Sequence, residues 1–305
     1  MAKNRVLIIY LDVRNSLKQA DLIASKMPEL DLLAEIVTLP LKVTEDCSQL
    51  ESWQAINETI YTNYDRYDGF VVVSKADNLI YSAVATDTAF EKNYKPIIFT
   101  TALLSGGGFK FKKLSDLSLK TNLINALQII NSNISDVMIV YGQKAILATL
   151  ARKVSVSHLN SYDSLTGEYI ATVDFSLELF AKPNKKNHDV IFKNDFDDRI
   201  ALLYLHPGFV WSKYKEVLKK SKALIIKSTH SDGLLDKDIK WLKDNFGNKP
   251  IIIYNRLGIV REQPLPANYI TTDRMSWETM IIRTMWCLAA SKSTTTFKKI
   301  FFPKQ

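Results

Sequence analysis

The residues best placed for chemistry are the five from Ser74 to Asn78 (SKADN). They follow Phe70–Val73, a continuous apolar run of the kind that forms a strand buried on both faces. In open α/β sheets, ligands sit in the crevice outside the carboxyl ends of the strands, which is where this loop falls. It offers a hydroxyl (Ser74), an ammonium (Lys75), a carboxylate (Asp77) and an amide (Asn78). Asp77 precedes a helical pattern, so it also suits an N-cap that bonds the helix's first amides. Other chemistries find less support. His158, His188, His206 and His230 show no H-x-x-x-H or Cys/His pairing, and no metal is expected. No G-x-S-x-G elbow is present. Ser105–Gly108 (SGGG) is rich in glycine, but no G-x-x-x-x-G-K or G-x-G-x-x-G pattern follows a strand there, and it reads as a lid or linker. Cys47 would serve as a nucleophile only beside a base, and no histidine is near it in sequence.

Alternating strands and helices position this loop. Arg5–Leu11, Leu32–Leu39 (ended by Pro40), Phe70–Val73, Ile97–Thr100 and Asp136–Tyr141 read as strands. Ser16–Met27, Ser48–Asn63, Leu79–Glu91 and Leu119–Ser132 read as helices. Residues 142–175 suggest a connection and a short edge hairpin. Leu179–Asn194 is polar, basic and broken by Pro183, as expected of a linker. The rhythm then resumes, with strands at Ile200–Leu205, Ala223–Lys227 and Pro250–Tyr254, and helices at Trp211–Ser221, Asp236–Phe246 and Ser276–Ala290. The pattern predicts an α/β protein of two domains, the larger a parallel sheet with helices on both faces. The expected boundaries are 1–178 for the first domain, 179–198 for the linker and 199–305 for the second.

The chain has 305 residues and a formal net charge of +8. No apolar run is long enough to span a bilayer, and the N-terminus lacks a signal peptide's layout. The two cysteines, Cys47 and Cys287, make no disulfide framework, and a reducing cytoplasmic setting is expected. The excess of lysine reads as a solvated surface. The basic runs at 109–113, 182–186 and 297–304 lie in no nucleic-acid-binding motif, so a nucleic-acid partner is not expected.

The stretch DGFVVVSKADNLIYSA resembles the loop D-G-F-V-V-x-H-G-T-D-T-x-x-Y-T-A of bacterial-type, cytoplasmic L-asparaginases. Asp68, Gly69, Asp77, Tyr81 and Ala83 fall in register. Further likenesses follow in order along the chain. VLIIYLDVRNS is similar to V-L-x-I-Y-T-G-G-T-I-G, and KTNLINAL to Q-x-N-L-x-N-A-L. ARKVSVSHLNSYDS resembles the stretch that holds the family's catalytic lysine, which falls on Lys153. DRMSWETMIIRTMWCL resembles the family's D-M-T-x-E helix, keeping Met275, Ser276 and Glu278.

The resemblance implies an asparaginase fold, an amidohydrolase ancestry, no cofactor, and sites built between subunits of a dimer or tetramer. It also implies a defect. Arg14 stands where the family's nucleophilic threonine stands, and Ala76 replaces the threonine before the aspartate. Asp77 and Lys153 remain, although Lys153 also fits an ordinary surface lysine. The substrate-gripping Asp-Ser falls on Thr44-Glu45 or, with a two-residue shift, on Asp46-Cys47; Asn78 is grouped with those positions. The family's T-G-S-Q is Thr100–Leu103 here, and its G-x-G-N loop survives only as His230–Gly233. Neither alanine nor a guanidinium can attack an amide carbon. The expectation is therefore a catalytically degenerate homologue that binds a small amino acid such as asparagine or aspartate, or serves as a partner subunit. The alternatives are an active hydrolase with a rearranged site and a tRNA-associated, amidotransferase-like protein. An ion pair between Arg14 and Asp77 is expected to plug the old pocket.

Overall fold

The structure, a computed structural model, describes residues 3–12, 27–43, 50–102, 109–132, 134–156, 161–181, 190–256, 258–272 and 275–302, with the backbone alone over 109–116. The chain divides into two compact units, Met1–Asn194 and Asp195–Gln305.

The first unit is built on an eight-stranded sheet. Five strands run parallel: β1 (Arg5–Asp12), β2 (Glu35–Lys42), β3 (Gly69–Val73), β5 (Ile97–Thr100) and β6 (Val137–Tyr141). Their register sorts the side chains into two rows. Ile8, Val71, Ile98 and Met138 align on one face and join a core cluster with Leu123, Ala126, Leu127 and Ile130 of the long helix Phe109–Ile130. Ile9, Val72, Phe99 and Ile139 align on the other face, equally buried. Burial on both faces is why these strands read as unbroken apolar runs.

Several expectations are corrected. The sheet is mixed, because β7 (Lys144–Leu147), β10 (Ala171–Val173) and β11 (Leu177–Leu179) extend it antiparallel beyond β6. A two-residue turn, Gly142-Gln143, reverses the chain, with Gly142 at φ 59° in the left-handed region a tight hairpin demands. Pro40 does not end β2 but lies inside it. β2 is an edge strand and needs a ladder on one side only, so a residue without an N–H is tolerated. The second strand also starts later than Leu32. Pro28 presets a helical turn, and α1 (Leu30–Leu33) precedes β2. The helix α2 (Leu50–Thr62) lies within its expected span, whereas α3 (Leu79–Ala89) stops before Glu91. Phe90–Glu91 instead forms β4, paired antiparallel with β12 (Ile191–Phe192), and Lys92 at φ 58° turns the chain. Phe192 stacks on Tyr61 with ring centroids 4.2 Å apart. The helix α4 (Phe109–Ile130) begins well before Leu119. The expected helix at Ser16–Met27 lies almost wholly outside the described residues.

Two further strands, β8 (Ala151–Lys153) and β9 (Tyr162–Ser164), form an antiparallel pair of their own. Among the described residues, no helix is long and apolar enough to cross a membrane.

The second unit holds four parallel strands in chain order: β13 (Ile200–Tyr204), β14 (Ala223–Lys227), β15 (Ile251–Tyr254) and β16 (Tyr269–Thr272). The helices α5 (Lys215–Lys220) and α6 (Asp236–Phe246) pack Leu218, Leu242 and Phe246 into one cluster with Leu224, Ile226 and Ile253. A 3₁₀ turn, Trp211–Tyr214, occupies the first part of the expected helix Trp211–Ser221. α7 (Trp277–Ala290) is capped by Ser276, whose hydroxyl accepts from the Thr279 N–H at 3.2 Å. β16 and α8 (Thr294–Phe301) are further elements. Arg283 of α7 is buried and donates to the carbonyls of Phe301 and Ile300 at 2.6 and 2.8 Å, capping the end of α8.

Candidate functional site

The loop after β3 and the β8–β9 pair meet, although they are far apart in sequence. β8 and β9 place Lys153 opposite Tyr162, and Arg152 opposite Asp163. Lys153 Nζ donates to Asp77 Oδ1 at 2.7 Å and lies 3.5 Å from the Ala76 carbonyl. The Tyr162 hydroxyl donates to that same carbonyl at 2.6 Å. Burial is the main cause pushing the Tyr162 phenol far above its ordinary range, with Tyr141 and Asp77 adding to it. Tyr141, at the end of β6, meets the Tyr162 ring edge-on with centroids 5.0 Å apart. Ala76 itself is buried, whereas Asp77 is 77 % exposed. The arrangement holds a carboxylate and an ammonium at the carboxyl end of the central strand, with Asp77 open to solvent.

Asp77 therefore does not cap α3. The capping residue is Asn78, whose side chain makes no capping bond; its N–H donates to the Lys75 carbonyl at 3.2 Å. Lys153, at 23 % side-chain exposure, is a half-buried partner rather than a surface lysine. Arg152 and Asp163 belong to a separate cluster. Asp163 accepts from Tyr169 at 2.6 Å and from Lys144 at 3.0 Å. The Tyr169 hydroxyl, then Lys144, holds its carboxyl down to about 2.

The neighbouring strand ends are fixed by amides from α4. Asn122 Nδ2 donates to the Thr101 carbonyl and its Oδ1 accepts from the Gly142 N–H, both at 2.8 Å. Asn125 Nδ2 donates to the Gly142 carbonyl at 2.7 Å. The asparagines of KTNLINAL thus clamp the ends of β5 and β6, a role no linear motif announces. The packing of Tyr141 on Tyr162 is equally invisible in sequence, since only the fold brings the two rings together.

Arg14 and the positions Thr44, Glu45, Asp46 and Cys47 lie outside the described residues. In the second unit, His230–Gly233 is a local turn. Ser228 Oγ accepts from the His230 N–H, and His230 Nδ1 from the Asp232 N–H, each at 3.1 Å. Glu278 lies in the first turn of α7, and burial raises its carboxyl above the usual range. Cys287 is fully buried.

Comparison with known proteins gives this geometry a family. The model of the N-terminal asparaginase domain matches residues 12–185, more than half of the chain. An L-asparaginase of Thermococcus kodakarensis is 22% identical over 265 residues, covering 83% of this chain and 79% of its own length. A glutamyl-tRNA(Gln) amidotransferase component from Thermoplasma acidophilum is 23% identical over 184 residues, covering 58% of this chain and 44% of its own length. The chain thus spans less than half of that component. Among solved structures, L-asparaginase I of Vibrio cholerae superposes with a TM-score of 0.85 at 19% identity, covering 100% of this chain and 98% of the other. That likeness carries the two-domain asparaginase fold. On the matched residues and the shared fold together, the chain belongs to the asparaginase family.

Proposed function

We propose that this asparaginase-family protein is a catalytically degenerate member that acts as a binding or partner subunit. The observation that carries the reading is Ala76. It sits beside the Asp77–Lys153 pair, its carbonyl is taken by Tyr162, and its methyl side chain offers no oxygen. Hydroxyl nucleophiles work only when a neighbouring base takes their proton, and here the neighbouring groups flank a side chain with no proton to give. Arg14, at the nucleophile's position by resemblance, is cationic and cannot replace it. The pair that remains would bind rather than react, with Lys153 offered to a carboxylate and Asp77 to an ammonium, the two ends of a small amino acid. The reading also puts the protein in the cytoplasm and in an oligomer, with itself or with an active paralogue. Similarity to an amidotransferase component favours the partner role.

The test is ammonia release from L-asparagine and L-glutamine by the purified protein. No release above background is expected. Activity that disappears in Lys153→Ala would overturn the reading. Ala76→Thr alone is expected to stay inactive, since it leaves the position of Arg14 without a hydroxyl. Binding is read by thermal shift across a panel of amino acids. A ligand at a hundred times its Kd adds about 2.7 kcal/mol to the native state, and Lys153→Ala should abolish that shift.

A further inference from the structure

The molecule's charge is unevenly divided. Residues 1–194 carry 21 Lys and Arg against 21 Asp and Glu, whereas residues 195–305 carry 19 against 11. The whole formal excess of +8 therefore resides in the second unit. Six of those 19 cations lie on one layer, α5 and α6, beside four acids. Lys215, Lys219 and Lys220 of α5 and Lys237, Lys240 and Lys243 of α6 are all exposed. The two helices lie on the same face of the sheet, since both feed one core cluster. Three of the four acids among them are already engaged: Glu216 with Lys219 at 2.6 Å, Asp236 with Arg261, and Asp238 with the Trp211 indole N–H at 2.8 Å; the fourth, Asp244, is exposed beside Lys243. Lys219, then Lys220 and Lys215, hold the Glu216 carboxyl below its ordinary range, as a locally positive field should.

This layer ends at a cavity. Between the loops that leave β13 and β14 lies a space of about 450 Å³, lined by His206, Phe209, Trp211, His230 and Lys237 among others. Phe209 stacks flat on Tyr214 with centroids 5.0 Å apart and meets the exposed His206 ring edge-on at 5.9 Å. A row of cations leading to an aromatic pocket suits one class of ligand. Phosphates are drawn to lysines through release of their counterions. Bases stack on aromatic rings whatever their sequence. An acidic protein would use the lysines but leave the pocket idle.

We propose that the α5–α6 layer and the adjoining cavity bind a single-stranded polynucleotide, with phosphates on the lysines and a base against His206 and Phe209. The proposal is independent of whether any amide hydrolysis survives in the first unit. It also explains why no basic run marks the site: the six lysines are brought together by two helices rather than by one stretch of sequence.

The experiment is fluorescence anisotropy of a labelled twenty-nucleotide oligo(U) and of oligo(dT) with the full chain, from low to moderate salt. Binding is expected to weaken steeply with salt. Lys219→Gln/Lys240→Gln/Lys243→Gln is expected to bind about tenfold more weakly at low salt, with a log–log slope shallower by about two, from roughly 0.7 per lost phosphate contact. His206→Ala should weaken binding about fivefold and leave the slope unchanged, the signature of lost stacking. The oligo(U) and oligo(dT) arms tell RNA from DNA. If the triple variant misfolds by circular dichroism, Lys240→Gln and Lys243→Gln are read singly, each lowering the slope by about 0.7. Oligonucleotide binding that is absent, or unchanged in the lysine variants, overturns the proposal. So does preferential binding of polyglutamate or of phosphatidylserine vesicles with His206→Ala indifferent, which would assign the layer to an acidic protein or a membrane.

Discussion

The two units end their parallel strands in different ways. In the first, side chains from distant segments tie the strand ends together: Asn122 joins Thr101 to Gly142, Tyr162 reaches the Ala76 carbonyl, and Lys153 reaches Asp77. In the second, the loop after β14 is held largely by itself, through Ser228, His230 and the Gly233 N–H bonded to the His230 carbonyl, with Asn255 bracing it at 2.9 Å. The first unit's site exists only when the β8–β9 pair docks. The second unit's cavity is written into two short loops. A site made by long-range contacts is sensitive to single deletions at a distance, whereas a local one responds mainly to backbone strain.

The largest effect that separates the two is expected at Asn122. Both of its polar ends are bonded in a buried setting, so Asn122→Ala leaves a carbonyl and an N–H without partners. The cost should be about 2–3 kcal/mol. Amide exchange at Gly142 should accelerate while the amides of β14 and β15 keep their rates. Equal acceleration in both units would show that the contrast between them is false.

In the second unit the matching probe is Gly233. Its φ of 74° lies in the left-handed region, and an added Cβ would sit 3.0 Å from Ile259 Cδ1 and 3.3 Å from Ile253 Cγ2. Gly233→Ala should cost roughly 1–2 kcal/mol from backbone strain and crowding. It should alter the loop at His230 and leave the Lys153–Asp77 geometry untouched, as read by chemical shifts in each unit.

Tyr162→Phe comes next, at about 1 kcal/mol, because one buried hydrogen bond is lost while the ring still fills its place against Tyr141. The informative readout is the loop. If the Ala76 carbonyl is what seats Ser74–Asn78, amide exchange there should rise more than global stability falls. A proportional rise would mean that the hydroxyl merely adds stability.

The same contrast sets how far the sequence can be read. Buried parallel strands announce themselves as apolar runs, so Phe70–Val73 and Ile97–Thr100 are legible to within a residue. Asp236–Phe246 is legible because its apolar positions recur at helical spacing and Gly247 stops it at φ 67°. The antiparallel extension at β7, β10 and β11 is obscured by strands of three or four residues, too short for a period to show. β4 and β12 are hidden for a different reason: two-residue strands exist only through their partner. At the site, family likeness points to Asp77 and Lys153, but their contact and the role of Tyr162 depend on which face of a β-pair points where. The lysine layer of the second unit escapes a search for basic runs because its charge is spread across two helices.

The smallest effect is expected where the chemistry is densest. Lys153→Met removes the ion pair with Asp77, yet Asp77 is 77 % exposed and its charge remains hydrated without the lysine. Exposed pairs contribute about 0–1 kcal/mol, and salt screens them further. Lys153→Met should therefore lower stability by less than Tyr162→Phe does, and its own cost should shrink further at high salt. A methionine keeps much of the stem's packing, so the comparison isolates the charge. If the pair is kept for binding, the variant should lose any amino-acid thermal shift while melting nearly normally without ligand. A loss of several kcal/mol would instead make the pair a structural brace between β8 and the loop, and would remove the reason to regard this end of the sheet as a site.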